Sequence, residues 1–199
     1  MAPLAFACGS TPAVSAGAAT PNRVETKVER YLPLPADFVY TYDTYSDGQL
    51  VGSLWMQIEH PRAGRVDLKM GNRTTHLQLQ ADGVSDITGG WLLKAPLQVG
   101  AEFQGKNGKV RITRTDVALE TKAGSFRGCI ETQEEAGGVE ASSRVTTLYC
   151  PDVGIAQLDI MTQEGTQLIE ERAVLRSFAK RVDINALGDS DLESSAGTQ

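Results

Sequence analysis

From residue 37 to residue 178 the apolar side chains recur at every second position, the spacing of a half-buried strand and not of a helix. Phe38, Tyr40 and Tyr42 alternate with polar or smaller neighbours. The run 50–59 is rich in strand formers and holds Trp55 and Ile58. Val66, Leu68 and Met70 share one face of 65–70, Leu77 and Leu79 one face of 73–81, and Val110 and Ile112 one face of 109–114. Val117 and Leu119 continue the alternation in what reads as the next strand. Between the runs stand Asp47-Gly48, Gly71-Asn72, Asp82-Gly83, Gly89-Gly90, Asn107-Gly108 and Ala123-Gly124. Glycine and asparagine tolerate the positive φ that tight hairpin turns require. Strands at this spacing predict an all-β fold, a single antiparallel meander forming a barrel or a sandwich. The run 167–181 fits neither period cleanly. It is read as a strand, with a short C-terminal helix as the alternative.

The ends differ in composition from this middle. Residues 9–22 are almost all Gly, Ser, Thr, Pro and Ala, too poor in apolar surface to order themselves. The last residues, 184–199, are small and polar with Asp189, Asp191 and Glu193. The expected organisation is therefore a short processing remnant (1–8), a flexible tether (9–29), a β domain (30–183) and an acidic tail (184–199). No stretch approaches the roughly 20 apolar residues of a membrane-spanning helix.

The remnant carries the one modification signal. Ala5 and Ala7 stand at −3 and −1 relative to Cys8, where a signal peptidase requires small side chains. A cysteine at +1 resembles a bacterial lipobox, whose thiol is acylated before cleavage. Only seven residues precede Cys8 and none is basic, so Met1 is read as internal to a longer signal. Lipidation at Cys8 predicts attachment to a membrane through lipid. In lipoproteins of this kind a neutral residue such as Gly9 after the cysteine directs sorting to the outer membrane. The expected location is thus the bacterial envelope, facing the periplasm.

Cys129 and Cys150 remain. They flank a turn centred on 136–141, and opposed residues of an antiparallel hairpin have a constant index sum, which sets the two opposite each other. An exported compartment is oxidising, so a disulfide is expected. A loop of this size stabilises by about 3 kcal/mol. Alternation puts the pair beside Arg127, Glu131 and Arg144, on the face away from Phe126, Ile130, Val145 and Tyr149, as a surface staple.

Four ordered segments resemble the TapB-like family of uncharacterised secreted bacterial β-domain lipoproteins. The first is Tyr31, Pro33-Leu34, Tyr40 and Tyr42. Pro96-Leu97, Gly100 and Phe103 follow, then Ala123-Gly124-Ser125-Phe126, then Tyr149, Pro151, Val153 and Gly154. The match spans about residues 30–178. Tyr40 and Phe103 stand where the family has Trp, and Asp37 where it has Gly. The resemblance implies an antiparallel half-open barrel, with the aromatics as core anchors, and brings no activity. Gly100, Gly124 and Gly154 read as backbone turns, and Pro33, Pro96 and Pro151 as strand boundaries.

Chemistry is sparse. A net charge of −6, with 19 basic residues scattered among 25 acidic ones, argues against nucleic acid, whose phosphates require clustered Lys and Arg. The two histidines, His60 and His76, read as exposed or half-buried polar residues, and two more cysteines do not complete a zinc site. Gly-x-Ser-x-Gly, P-loop and dinucleotide fingerprints do not occur. Glu134-Glu135 and Glu170-Glu171 read as solvated charges, and Asn72-Arg73-Thr74 matches a glycosylation acceptor. No catalytic residue, cofactor or metal is expected. The sequence points to a non-catalytic structural or interaction module of the envelope, with another envelope protein as partner. The alternative is a carrier of lipid or another apolar ligand, resembling periplasmic lipoprotein-sorting factors. Trp55, Trp91 and Met56 could line such a cavity, with core packing as their first reading. An apolar cavity open to solvent would favour the carrier, and a filled interior the interaction module.

Overall fold

The computed structural model describes residues 27–137 and 141–181. Twelve antiparallel strands form one sheet that curls into a nearly closed barrel. In chain order they are β1 (Phe38–Ser46), β2 (Gln49–Arg62), β3 (Arg65–Met70), β4 (Arg73–Gln80), β5 (Gly83–Asp86) and β6 (Trp91–Lys94). The second half comprises β7 (Glu102–Gln104), β8 (Lys109–Thr121), β9 (Gly124–Gly137), β10 (Ala141–Cys150), β11 (Gly154–Glu164) and β12 (Gln167–Lys180). The order across the sheet is β6-β5-β4-β3-β2-β1-β12-β11-β10-β9-β8-β7. The first and last strands therefore pair with each other, Phe38 opposite Lys180, and the free edges fall to β6 and β7 in mid-chain.

The helix in the described residues is α1 (Lys27–Tyr31), at the N-terminal side. Its first three residues fall within the stretch 9–29 assigned to the tether, and Val28 among them is buried. The C-terminal run is strand β12, not a helix. The segments 109–114 and 117–119, read as two strands, are one bent strand, β8. Its register on β9 slips between Ile112 and Arg114 and again on either side of Val117, and Asp116 takes φ 62°. Such bulges bend a strand without ending it, so the alternation appears broken where the ladder continues. The short strands β5, β6 and β7 carry too few residues to show a period and were not visible as strands.

In a meander, successive turns fall at alternate ends. One end of the barrel carries the β2–β3, β4–β5, β6–β7, β8–β9 and β10–β11 connections, with α1 lying against β5 and β11. Asp152 N donates to Arg30 O and Asp37 N to Ile58 O, which fastens the entering chain across this end. Val28, Leu32 and Leu34 are buried there with Tyr40, Ile58, Leu68 and Val153 in one cluster. They plug the end and leave a void of only about 10 Å³ beneath Leu32 and Leu34. Tyr40 stacks on Phe178 with ring centroids 5.8 Å apart, the core anchor that its position in the resemblance implied. Asp37 takes φ 63°, in the left-handed region that favours Gly, and Asp is one of the few other residues that enter it readily.

Cys129 and Cys150 are joined by a disulfide, the register of β9 on β10 placing them opposite each other. They are not a surface staple: both are fully buried. Alternation does place them outside the barrel wall, but that outer surface is covered. The β8–β9 arm bends back, Val117 lies opposite Cys129, and Val117, Leu119 and Phe126 pack against the core. At the tip of the arm, Lys122 reaches Asp43 of β1 at 2.6 Å.

Candidate functional site: an apolar cavity under a polar seam

The end opposite the plug is open. A cavity of about 360 Å³ runs down from it into the barrel. Alternation aims one side-chain row of each strand inward. Here those rows are Tyr42 of β1, Leu54 and Met56 of β2, Leu68 and Met70 of β3, Leu158 of β11 and Ala173 of β12. Trp91 and Leu92 of β6 and Val145 and Tyr149 of β10 complete the apolar wall. Both tyrosines spend their hydroxyls on backbone: Tyr42 Oη donates to Ile155 O at 3.0 Å and Tyr149 Oη to Leu92 O at 2.9 Å. Burial raises the pKa of each far above the ordinary phenol value, so both stay neutral donors. Of the three residues considered for such a cavity, Met56 and Trp91 line it. Trp55 does not. It alternates with Leu54 and Met56, faces out from the barrel and is 47% exposed.

The polar lining gathers where the two edge strands meet. β6 and β7 form no ladder, and the line between them is closed by the turn before β6 and the turn after β7. A Cβ on Gly90 would lie 2.4 Å from the Gly105 carbonyl, so the two backbones touch there. Across this seam Lys106 Nζ pairs with Asp86 Oδ2 at 2.7 Å. Asp86 is buried and also accepts from Thr88 N at 2.8 Å and from Thr88 Oγ1 at 2.6 Å. Desolvation pushes its pKa up, and the bonds from Lys106 and Thr88 outweigh that, holding it down at about 2. Glu134 reaches in from β9, where Oε1 accepts the backbone N–H of Asn107 at 2.6 Å and of Gly108 at 3.0 Å. This carboxylate was read as a solvated charge. In register it alternates with Thr132 on the inward row, and both line the cavity. Asp86, Lys106 and Glu134 are its charged lining residues. The even spacing of Ile130, Thr132 and Glu134 along β9 was the available signal for Glu134. Lys106 lies in the β7–β8 turn and Asp86 ends β5, a four-residue strand too short to show a period, so neither gave one.

Other polar groups are elsewhere. His60 Nε2 bonds Leu34 O at 2.7 Å at the plugged end, and His76 Nδ1 bonds Asp67 Oδ1 at 2.7 Å on the exposed surface of β4. Asn72 and Arg73 sit exposed at the β3–β4 turn. An outer groove of about 440 Å³ holds Tyr45, Thr146, Glu170 and Glu171, and its Arg172 pairs with Asp159 and its Arg144 with Glu135. Among the described residues no group of three or more His, Cys, Asp or Glu could hold a metal ion. Cys8 lies outside the described residues.

No family model matches the chain, and no curated protein matches it. The resemblance to the TapB-like family thus rests on the four segments alone. Among solved structures the chain is similar to a "putative lipoprotein" from Parabacteroides distasonis ATCC 8503, with 11% identity and a TM-score of 0.48 over 75% of this chain and 98% of that one. It is also similar to a "putative exported protein with YmcC-like fold" from Bacteroides fragilis NCTC 9343, with 13% identity and a TM-score of 0.49 over 73% and 97%. Likeness at this level transfers no activity, ligand or partner.

Proposed function

We propose that this protein binds an apolar ligand inside its barrel, as an envelope lipoprotein held to the outer membrane by lipid on Cys8 and facing the periplasm. The observation that supports this reading is the cavity itself. Interiors of globular proteins pack densely and leave few voids larger than a water molecule. Small barrels fill their interior with side chains and larger ones enclose ligand cavities or channels; this barrel is filled at the plugged end. Its open half keeps about 360 Å³ within largely apolar walls. That volume falls at the small end of the ligand-pocket range of roughly 300–1,000 Å³. A single alkyl chain or a compact apolar molecule fits the space better than a multi-chain lipid. The described chain begins with α1 at the plugged end, and the mouth lies at the opposite end, open for exchange. An interaction module would instead present a filled interior.

The test is displacement of N-phenyl-1-naphthylamine from the full chain, with native mass spectrometry of protein taken gently from a bacterial envelope. Saturable probe binding is expected, weakened about tenfold by Ala173→Phe, which fills the cavity while far-UV circular dichroism stays β-type. No probe binding together with a clean apo mass would return the weight to the interaction module. Cys8→Ser should release the protein from membranes, and unchanged fractionation would sink the anchor.

A further inference from the structure

We infer that the cavity selects ligands whose polar head donates hydrogen bonds, a primary amine or a hydroxyl, and rejects carboxylate heads. This rests on the carrier reading above and concerns which ligand the same cavity takes. The cavity is chemically two-sided. The walls from β1, β2, β3, β11 and β12 are apolar apart from tyrosine, and the ionised groups all stand at the seam. A ligand with its tail against Met56 and Leu68 therefore brings its head to Asp86, Lys106 and Glu134.

At the seam the charges do not cancel. Lys106 is paired with Asp86 at 2.7 Å, and that aspartate also accepts twice from Thr88, so three of its roughly four acceptor positions are taken. Glu134 has no cation against it among these lining groups. Its two bonds come from backbone N–H. A carboxylate offers about four acceptor positions, and these bonds take two. Two carboxylates against one ammonium leave the head site with one negative charge beside an apolar chamber, where a charge acts more strongly than in water. A donor head gains a charge-assisted bond to Glu134. An anionic head meets the net negative charge, and the one ammonium, though it keeps N–H donors beyond its bond to Asp86, already has its charge balanced there.

The chain has two tryptophans, and Trp55 lies outside the cavity, so Trp55→Phe makes Trp91 emission a report on the chamber. The full-length Trp55→Phe protein is titrated with decylamine, decanol and decanoate below their micelle concentrations. Decylamine is expected to bind about tenfold more tightly than decanoate, with decanol between. Glu134→Gln keeps an oxygen for the Asn107 and Gly108 N–H groups while removing the charge. It should bring amine and carboxylate within about threefold of each other. Decanoate binding as well as or better than decylamine, or a preference unchanged in Glu134→Gln, overturns this inference and leaves the carrier reading standing. Failure of all three to change Trp91 emission overturns both.

Discussion

Gly90→Ala tests whether the seam is closed as tightly as the structure shows. Gly90 has φ +84°, and a Cβ there would lie 2.4 Å from both the carbon and the oxygen of the Gly105 carbonyl and 2.5 Å from Lys106 N. All three are backbone atoms, so no side chain can swing away. Two costs follow. Holding an L-residue in the left-handed region costs about 1–2 kcal/mol. Parting the two turns also weakens the Lys106–Asp86 bond, a charge-assisted contact worth about 1.5–3 kcal/mol. The sum expected is about 3 kcal/mol, a large effect for one methyl group. Gly71→Ala is the control: φ is +57° and nothing lies within 4 Å of the new Cβ, so only the conformational cost of about 1 kcal/mol remains. Urea denaturation separates them, since at about 2 kcal/mol per M the midpoints should fall by about 1.5 M and 0.5 M respectively. Equal shifts for the two variants would refute the close approach at the seam.

Other outcomes follow from the same structure. Reduction should lower stability by about 3 kcal/mol, because the cross-link closes a loop of sequence separation 21. Both sulfurs are buried, so alkylation of native protein in mild reductant should wait on unfolding, and rapid double labelling would contradict the burial. Asp86, held at about 2 against an ordinary value near 3.9, favours the folded state above pH ~4. That contribution, about 2 kcal/mol, is lost as pH falls through about 2, and Asp86→Asn should flatten this part of the pH–stability curve. Leu93→Ala, at a fully buried position, should cost about 2–5 kcal/mol in the same urea assay.

How much was legible in the sequence depended on strand length and on what covers each face. Long strands with one wet face announced themselves: Val66, Leu68 and Met70 mark β3, whose bounds match the reading, and Gly71-Asn72 is its turn. β5, with four residues all buried, has no alternation to show. The disulfide register was readable because it needs only the turn centre. Its depth was not, because the cover comes from the folded-back arm, a contact that no local pattern encodes. Trp55 was misassigned for a related reason. Parity along β2 puts it opposite Leu54 and Met56, and a large aromatic looks like core until its row is known. Glu134 is the converse, a charge that composition assigns to solvent and register turns inward.

The position of the polar groups follows from topology. Because β1 pairs with both β2 and β12, the first and last strands meet inside the sheet and the open edges are mid-chain. Those edges, β6 and β7, are four and three residues long and joined by a loop through Pro96, so they are too short to complete a ladder. Exposed edges are hazards that proteins shorten or cover. Here the cover consists of two turns and an ion pair, and their acceptors and donors must stand where backbone bonds would otherwise run. The one line in the wall without a ladder is therefore also where charge lines the chamber. Everywhere else a neighbouring strand would have to be peeled away to widen the barrel, whereas the seam yields by breaking the Lys106–Asp86 bond and separating Gly90 from Gly105. Under the carrier proposal, head-group recognition thus falls on the line along which the barrel can widen, and loosening that line should speed exchange through the adjoining mouth more than it changes the fold of the remaining strands.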